Sequence, residues 1–321
     1  MLGQIGHRRD EVLCGPAVGA DCAVLQTGPG EVLLFSTDPI TGAVQGIGGH
    51  SIHITANDLA AAGAEPVAVM LTLLLPPGTE EQEVREIMSS AEEVCRQLGI
   101  EILGGHTEIT PAVSRPVISV TGIGKCAEED IMKPNAVRPG QDIVVTKWIG
   151  LEATAILAKE CAEFLRGRIQ EEMLSEAASL TGYLSVVPEA TAAAKCGAVL
   201  MHDITEGGIL GALWEAAEAG RTGLDINAAA IPVRRETMEI CRAFSVDPLR
   251  IMSSGSLLII TEDGKKLVET LKDLGICSSV IGKTTDSEER ILRTGDSVTH
   301  LTPPEPDMLY TALKRGGILG F

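Results

Sequence analysis

The chain has 321 residues, 45% of them hydrophobic and 22% charged, a globular composition with room for two domains that excludes a disordered chain. A net charge of −18 argues against a nucleic-acid backbone or an anionic membrane as partner, and aromatics at 2% leave few stacking surfaces for single strands. The eight cysteines are scattered without a Cys-x-x-Cys pair, so zinc and iron–sulfur ligation have no support and buried thiols in a reducing compartment are expected.

The first residues, Met1 to Arg9, lack the apolar core of a signal peptide, and the most apolar run, Val67 to Leu75, is too short to span a bilayer. A cytoplasmic location is the expectation. Arg8 and Arg9 stand in a basic arm, which reads either as a solvated segment or as one that folds over an anion. Val18 to Leu25 and Glu31 to Asp38 are predicted strands joined by a Gly-Pro-Gly hairpin and broken after Asp38 by Pro39. Asp21 and Asp38 fall near their ends. Gly48 to Gly63 is a predicted helix carrying Asn57 and Asp58 in an Ala-rich setting. Those two polar residues either face a ligand or mark a surface edge of the helix.

Val67 to Leu75 is predicted as a continuous buried strand. Thr79 to Gln82 has the form of a capping box, and the helix behind it carries apolar residues at helical spacing from Val84 to Leu98. A short strand from Ile100 runs into Gly104-Gly105-His106-Thr107-Glu108. The glycine pair is expected to turn, either as an ordinary tight turn or as a nest of N–H groups that suits phosphate. Pro116 to Gly124 is one more strand. A boundary is placed near residue 135, giving domains 1–135 and 136–321.

The second half opens on a strand, Asp142 to Lys147. Helical patterns follow across 151–165, 169–181 and 188–196, then the strand Ala198 to Asp203, which delivers an acid. Thr205-Glu206-Gly207-Gly208 is a second glycine turn before a helix through Leu213 and Ala217. Strands at 255–261, 278–283 and 290–293 and helices at 264–274 and 306–315 complete the pattern, so both halves are predicted as α+β.

Asp21, Asp38, Asp58 and Asp203 each sit at or near the end of an apolar segment. Carboxylates from several elements beside glycine-lined loops suit a hard divalent cation holding a polyphosphate. The chain has no P-loop, no dinucleotide fingerprint and no protein-kinase signature.

The segments Gly19-Ala20-Asp21-Cys22-Ala23-Val24, Ser36-Thr37-Asp38-Pro39, Ala56 to Ala64, Gly104 to Glu108 and His202 to Gly208 occur in the order seen in one superfamily. In them the chain resembles aminoimidazole ribonucleotide synthetase and its PurM-like relatives, among them selenophosphate synthetase, thiamine-monophosphate kinase and HypE. The likeness is greatest to HypE-like, AIR synthase-related proteins. It implies a two-domain α+β subunit whose N-terminal half-barrel domain pairs into a dimeric β-barrel, and therefore a homodimer. It also implies ATP and Mg²⁺ as cofactors. Asp21, Asp58 and Asp203 match the metal ligands, with Asp38 beside them as a further ligand or catalytic carboxylate. Asn57, Gly104, Gly105, His106, Thr107, Thr205, Gly207 and Gly208 match nucleotide contacts, to which Arg8 and Arg9 are added as candidates. His106 stays open between general base, donor to phosphate and turn residue.

The shared chemistry is phosphorylation of an amide- or carbamoyl-like oxygen on a small substrate that the sequence does not identify. HypE carries its carbamoyl group on a Pro-Arg-x-Cys tail, whereas this chain ends Lys314 to Phe321 without cysteine, so dehydration on its own tail is not expected. A non-catalytic ATP-binding accessory factor acting with a protein partner is the alternative.

Overall fold

The computed structural model describes residues 9–15, 21–41 and 46–318. Its contacts divide the chain after Ile131 into two compact units, and each is described by itself.

The N-terminal unit runs β1 (Val12–Cys14), β2 (Ala23–Gly28), β3 (Glu31–Ile40), α1 (Ile47–Ala61), β4 (Glu65–Leu75), α2 (Glu81–Leu98), β5 (Glu101–Ile109) and β6 (Val117–Ala127). Its six strands form one sheet in the order β1-β2-β3-β6-β4-β5. The β2–β3 hairpin forms as the sequence indicates, but β3 runs on through Pro39 to Ile40, paired with β6 along its length. α1 packs on the sheet and α2 packs on α1. The two helices meet closely because Gly48 and Gly49 have no side chains: a Cβ on Gly48 would stand 2.0 Å from the Ile87 carbonyl oxygen. α1 is therefore buried almost all round, Asn57 and Asp58 included, which removes the surface-edge reading of that pair.

Two expectations change here. The cap of α2 is one residue later than Thr79: Glu80 and Glu83 make the reciprocal box, while the Thr79 hydroxyl donates to the Pro76 carbonyl at 2.8 Å. β4 is also not buried on both faces. Its core face holds Val69, Leu71, Leu73 and Leu75, yet Met70 is 47% exposed, because the helices cover only one side of this sheet.

The C-terminal unit runs β7 (Asp142–Thr146), α3 (Leu151–Glu160), α4 (Ala162–Leu165), α5 (Glu171–Ser179), α6 (Val187–Lys195), β8 (Ala198–Asp203), α7 (Gly208–Gly220), β9 (Gly223–Asn227) and α8 (Arg235–Phe244). It continues with β10 (Leu257–Thr261), α9 (Gly264–Asp273), β11 (Ser278–Thr285), β12 (Arg290–Thr294), β13 (Ser297–His300) and α10 (Met308–Arg315). Its sheet has seven strands ordered β13-β12-β9-β11-β7-β10-β8. Strands β9 and β13 and helix α8 are not anticipated from the sequence. Every residue of β10 is buried, since helices close both sides of the sheet's centre. One core gathers Ile143, Val145, Leu258 and Ile260 under α7, and a second joins α3, α8 and α10 through Leu157, Ile240, Phe244 and Leu313.

Candidate functional site

In the N-terminal unit the site grows from the alternation along β3. Val32, Leu34 and Ser36 point into the core, and Asp38 follows two residues further on the same face. Leu59 of α1 packs against Val32 and Leu34, which brings its neighbour Asp58 down onto the strand. The Ser36 hydroxyl is shared by both acids: its Oγ lies 3.2 Å from Asp38 Oδ2 and closer still to Asp58 Oδ2. One hydroxyl has one proton and can satisfy only one of two carboxylates at a time. Two acids from different elements, gathered at a largely buried point, form an oxygen-rich set that suits Mg²⁺. Asp21, half-buried, lies just before β2. Asn57 is completely buried within α1.

The stretch Gly104 to Glu108 is not a turn. It lies inside β5, paired in parallel with β4 so that Gly104 and Gly105 face Met70 and Leu71. The glycines serve a close approach between strands: a Cβ on Gly105 would stand 1.8 Å from the Leu71 carbonyl oxygen, and φ there is 151°. The successive N–H groups therefore do not converge as a nest. β5 ends the sheet, and no described strand pairs with its outer edge. Leu103 is 56% exposed and Ile109 58%; Thr107 and His106 are exposed too, His106 Nε2 lying 3.8 Å from Glu108. Arg8 lies outside the described residues. Arg9 is an exposed guanidinium held by both oxygens of Glu11, at 2.7 and 3.1 Å.

In the C-terminal unit β8 delivers Asp203, which is buried and paired in register with Leu257 of β10. His202, just before it, meets Glu215 of α7 at 3.0 Å. The chain then turns through Thr205 and Glu206 into α7, with φ of 80° at Gly207 and 61° at Gly208. This second glycine pair is a turn, as its sequence indicates. Gly207 donates its N–H to Asp307 Oδ2 at 2.7 Å, and Gly208 donates to the Thr205 carbonyl at 3.2 Å. Burial pushes the Asp307 carboxyl up, against the opposing pull of backbone N–H groups from Leu309, Gly207 and Met252.

A buried ion pair in this unit carries no local sequence signal. Lys147 has φ of 51°, a left-handed conformation for a side-chain-bearing residue. Its Nζ donates to the carbonyls of Tyr183 at 2.9 Å and Ser185 at 2.5 Å and to Glu189 Oε1 at 2.7 Å. Burial pushes this ammonium down, although Glu189 opposes the shift. Nearby, the Arg234 guanidinium lies over the Trp148 ring, which meets Tyr183 edge-on. The cysteines carry no disulfide among the described residues, and burial lifts the Cys95, Cys126 and Cys161 thiols to about 11 and Cys241 to about 12.

A six-stranded half-barrel sheet with helices on one face, followed by a seven-stranded α+β unit, defines a two-domain PurM-like protein. Residues 19–126 match the AIR synthase related protein N-terminal domain and residues 138–294 its C-terminal domain, so the chain belongs to the AIR synthase related family. It is similar to a hydrogenase expression/formation protein of Methanocaldococcus jannaschii, 29% identical over 282 residues that cover 85% of this chain and 81% of that one. It is also similar to the carbamoyl dehydratase HypE of Rhizobium leguminosarum bv. viciae, 29% identical over 240 residues covering 72% and 66% of the two chains. Among solved structures, the fold is similar to that of hydrogenase maturation protein HypE in complex with ATP, with a TM-score of 0.73 and 20% identity over 96% of this chain and 91% of that one.

Proposed function

We propose that this protein is an ATP- and Mg²⁺-dependent phosphoryl-transfer enzyme of the HypE-like group that activates an amide- or carbamoyl-like oxygen of a small substrate. The observation that carries the reading is the Ser36 hydroxyl placed between Asp38 and Asp58. Membership of the family and the ATP-bound HypE of like fold support the nucleotide. Asp21, Asp38 and Asp58 are the residues that would hold the metal in the N-terminal unit, and the motif likeness adds Asp203 from the C-terminal unit. Bound there, Mg²⁺ would neutralise charge on the phosphates during transfer. Thr205, Gly207 and Gly208 lie at the start of α7, and the motif likeness makes them nucleotide contacts in this reading.

A homodimer through the N-terminal unit belongs to the same reading, supported by the open edge of β5 and the exposed Met70, Leu103 and Ile109. Among the described residues no helix is long and apolar enough to cross a membrane. The cytoplasm, where ATP is abundant, is the proposed compartment.

Calorimetry with ATP tests the reading. We expect binding that requires Mg²⁺ and that Asp58→Asn weakens at least tenfold. Saturating ATP at about a hundred times Kd should add about 2.7 kcal/mol to stability. Phosphate release with one of a panel of small carboxamides would establish the enzyme; ATP binding with no turnover on any of them would favour the accessory factor. No binding at millimolar ATP would sink both.

A further inference from the structure

We propose that Asp307 is a positioning residue: from the segment before α10 it holds the Asp203–Gly208 loop in its working shape. The inference rests on the reading above, in which that loop serves phosphate chemistry.

α7 is a 13-residue helix whose N-cap, Gly207, has no side chain to accept from first-turn N–H groups. Ser, Thr, Asp or Asn usually fills that role locally. Asp307 does not replace that acceptor but holds the cap residue itself: from 100 residues away its Oδ2 accepts Gly207's own N–H at 2.7 Å. The other oxygen, Oδ1, accepts from Leu309 at 2.7 Å and caps α10. One carboxylate therefore fastens the starts of two helices with charge-assisted bonds, and its negative charge suits both N-termini. Asp307 is only 4% exposed, so water does not compete well for these bonds.

The loop's start is held by the Ile204 N–H on the Ser256 carbonyl at 3.0 Å, and Asp307 anchors its Gly207 end. On one side it has no room to move, since a Cβ on Gly208 would stand 2.7 Å from the Leu249 carbonyl oxygen and 2.8 Å from that of Ile251. On another side lies a cavity of about 600 Å³, lined by Gly207, Leu210, Gly211 and the strap that leads to Asp307. There the loop meets the strap only at ordinary contact distance, a Cβ on Gly207 standing 3.6 Å from the Pro304 Cβ. The strap carries Pro303, Pro304 and Pro306, which restrict its conformations, and Glu305 lies 3.5 Å from the Arg250 guanidinium. Asp307 is thus delivered from a stiff, anchored segment.

The test uses the full chain with Asp307→Ala and Asp307→Asn. Backbone hydrogen exchange is followed in residues 203–211, with α8 as the internal control. We expect exchange in the loop to speed up about tenfold in Asp307→Ala, the effect of losing one charge-assisted bond, with α8 unchanged. Asp307→Asn, which keeps one good acceptor, should fall between. Calorimetry at a temperature at which circular dichroism shows Asp307→Ala folded should show ATP with Mg²⁺ bound about tenfold more weakly by the variant. Loop exchange that matches the native chain overturns the proposal even if the melting temperature drops, because Asp307 is then merely structural. Faster loop exchange with native ATP affinity overturns it as well. If the native chain binds no ATP, the function proposed above fails, and the exchange measurement by itself decides whether Asp307 holds the loop. If Asp307→Ala does not fold, Asp307→Asn carries both measurements.

Discussion

β4 of the N-terminal unit and β10 of the C-terminal unit begin from the same sequence signal, an apolar run, broken in β4 only by Thr72. β10 is buried at every residue, while β4 leaves Met70 47% exposed. The difference lies in what covers each sheet. The centre of the C-terminal sheet is closed by its own helices, so all the burial energy of β10 is realised within one chain. The N-terminal sheet has helices on one face only, and its apolar surplus is left at Met70, Leu103 and Ile109. An apolar run alone therefore does not tell whether both faces of its strand are covered within the chain.

Several substitutions would break or sharpen that contrast. The largest effect is expected from Lys147→Met in the self-contained unit. It leaves Glu189 buried without its cation and should cost about 3–5 kcal/mol in denaturant unfolding, with part of the loss recovered by adding Glu189→Leu. Next, Ile259→Ala, at a fully buried position of β10, should cost about 2–5 kcal/mol. Met70→Ala on the exposed face of β4 should cost under about 1 kcal/mol at concentrations where the protein is monomeric. Equal losses at the two sites would abolish the comparison. Third, Leu103→Asp should leave the monomer fold intact and weaken self-association at least tenfold by sedimentation; a native chain that stays monomeric at high concentration would refute the shared-sheet reading.

The smallest effect concerns acid. Asp142 is held below the ordinary carboxylate range: burial works to raise it, but Lys283 at 2.5 Å and the Gly264 N–H at 3.0 Å outweigh that. A carboxyl depressed in the fold contributes its stability above its unfolded value, near about 3.9, and loses it as pH falls through the folded value. Lys283→Met should therefore open a gap at pH 7, under about 1 kcal/mol for so exposed a lysine, that closes below the folded pKa.

Much of the fold was legible because its signals are local. The N-terminal order of hairpin, helix, strand, helix, strand, strand follows from periodicity and glycine punctuation. That Asp38 and Asp58 could share a cation is legible in their placement at segment ends, but their convergence on Ser36 depends on the packing of α1 on β3, which no local pattern reports. Gly104-Gly105 reads as a turn in the sequence but lies inside β5, for a physical reason. Glycine permits a turn, but it equally permits a neighbouring backbone to come within 1.8 Å of where a Cβ would be, and only the pairing with β4 tells the two apart. The cap of α2 slipped by one residue because Thr79 and Glu80 both bear capping oxygens. Asp307 was missed outright. A hydrogen bond delivered to the Gly207 N–H from 100 residues away leaves no pattern near the loop that it serves. Helix α8 is hard to read in sequence because its buried face holds Glu236 and Thr237 beside Ile240, Cys241 and Phe244, which blurs the apolar periodicity.

The strand order of the C-terminal unit also governs how the protein is made. β7, the first strand of its sheet, lies between β11 and β10, and the Leu257 N–H that bonds to Thr146 is 111 residues further along. At a synthesis rate of about 5–20 residues per second, the run Ile143-Val144-Val145 waits roughly 6–22 s on the ribosome before its partners exist. For that interval a segment destined for the most buried part of the unit is open to other chains. Chaperone binding to nascent chains stalled between residues 200 and 250 would be the place to look for its protection.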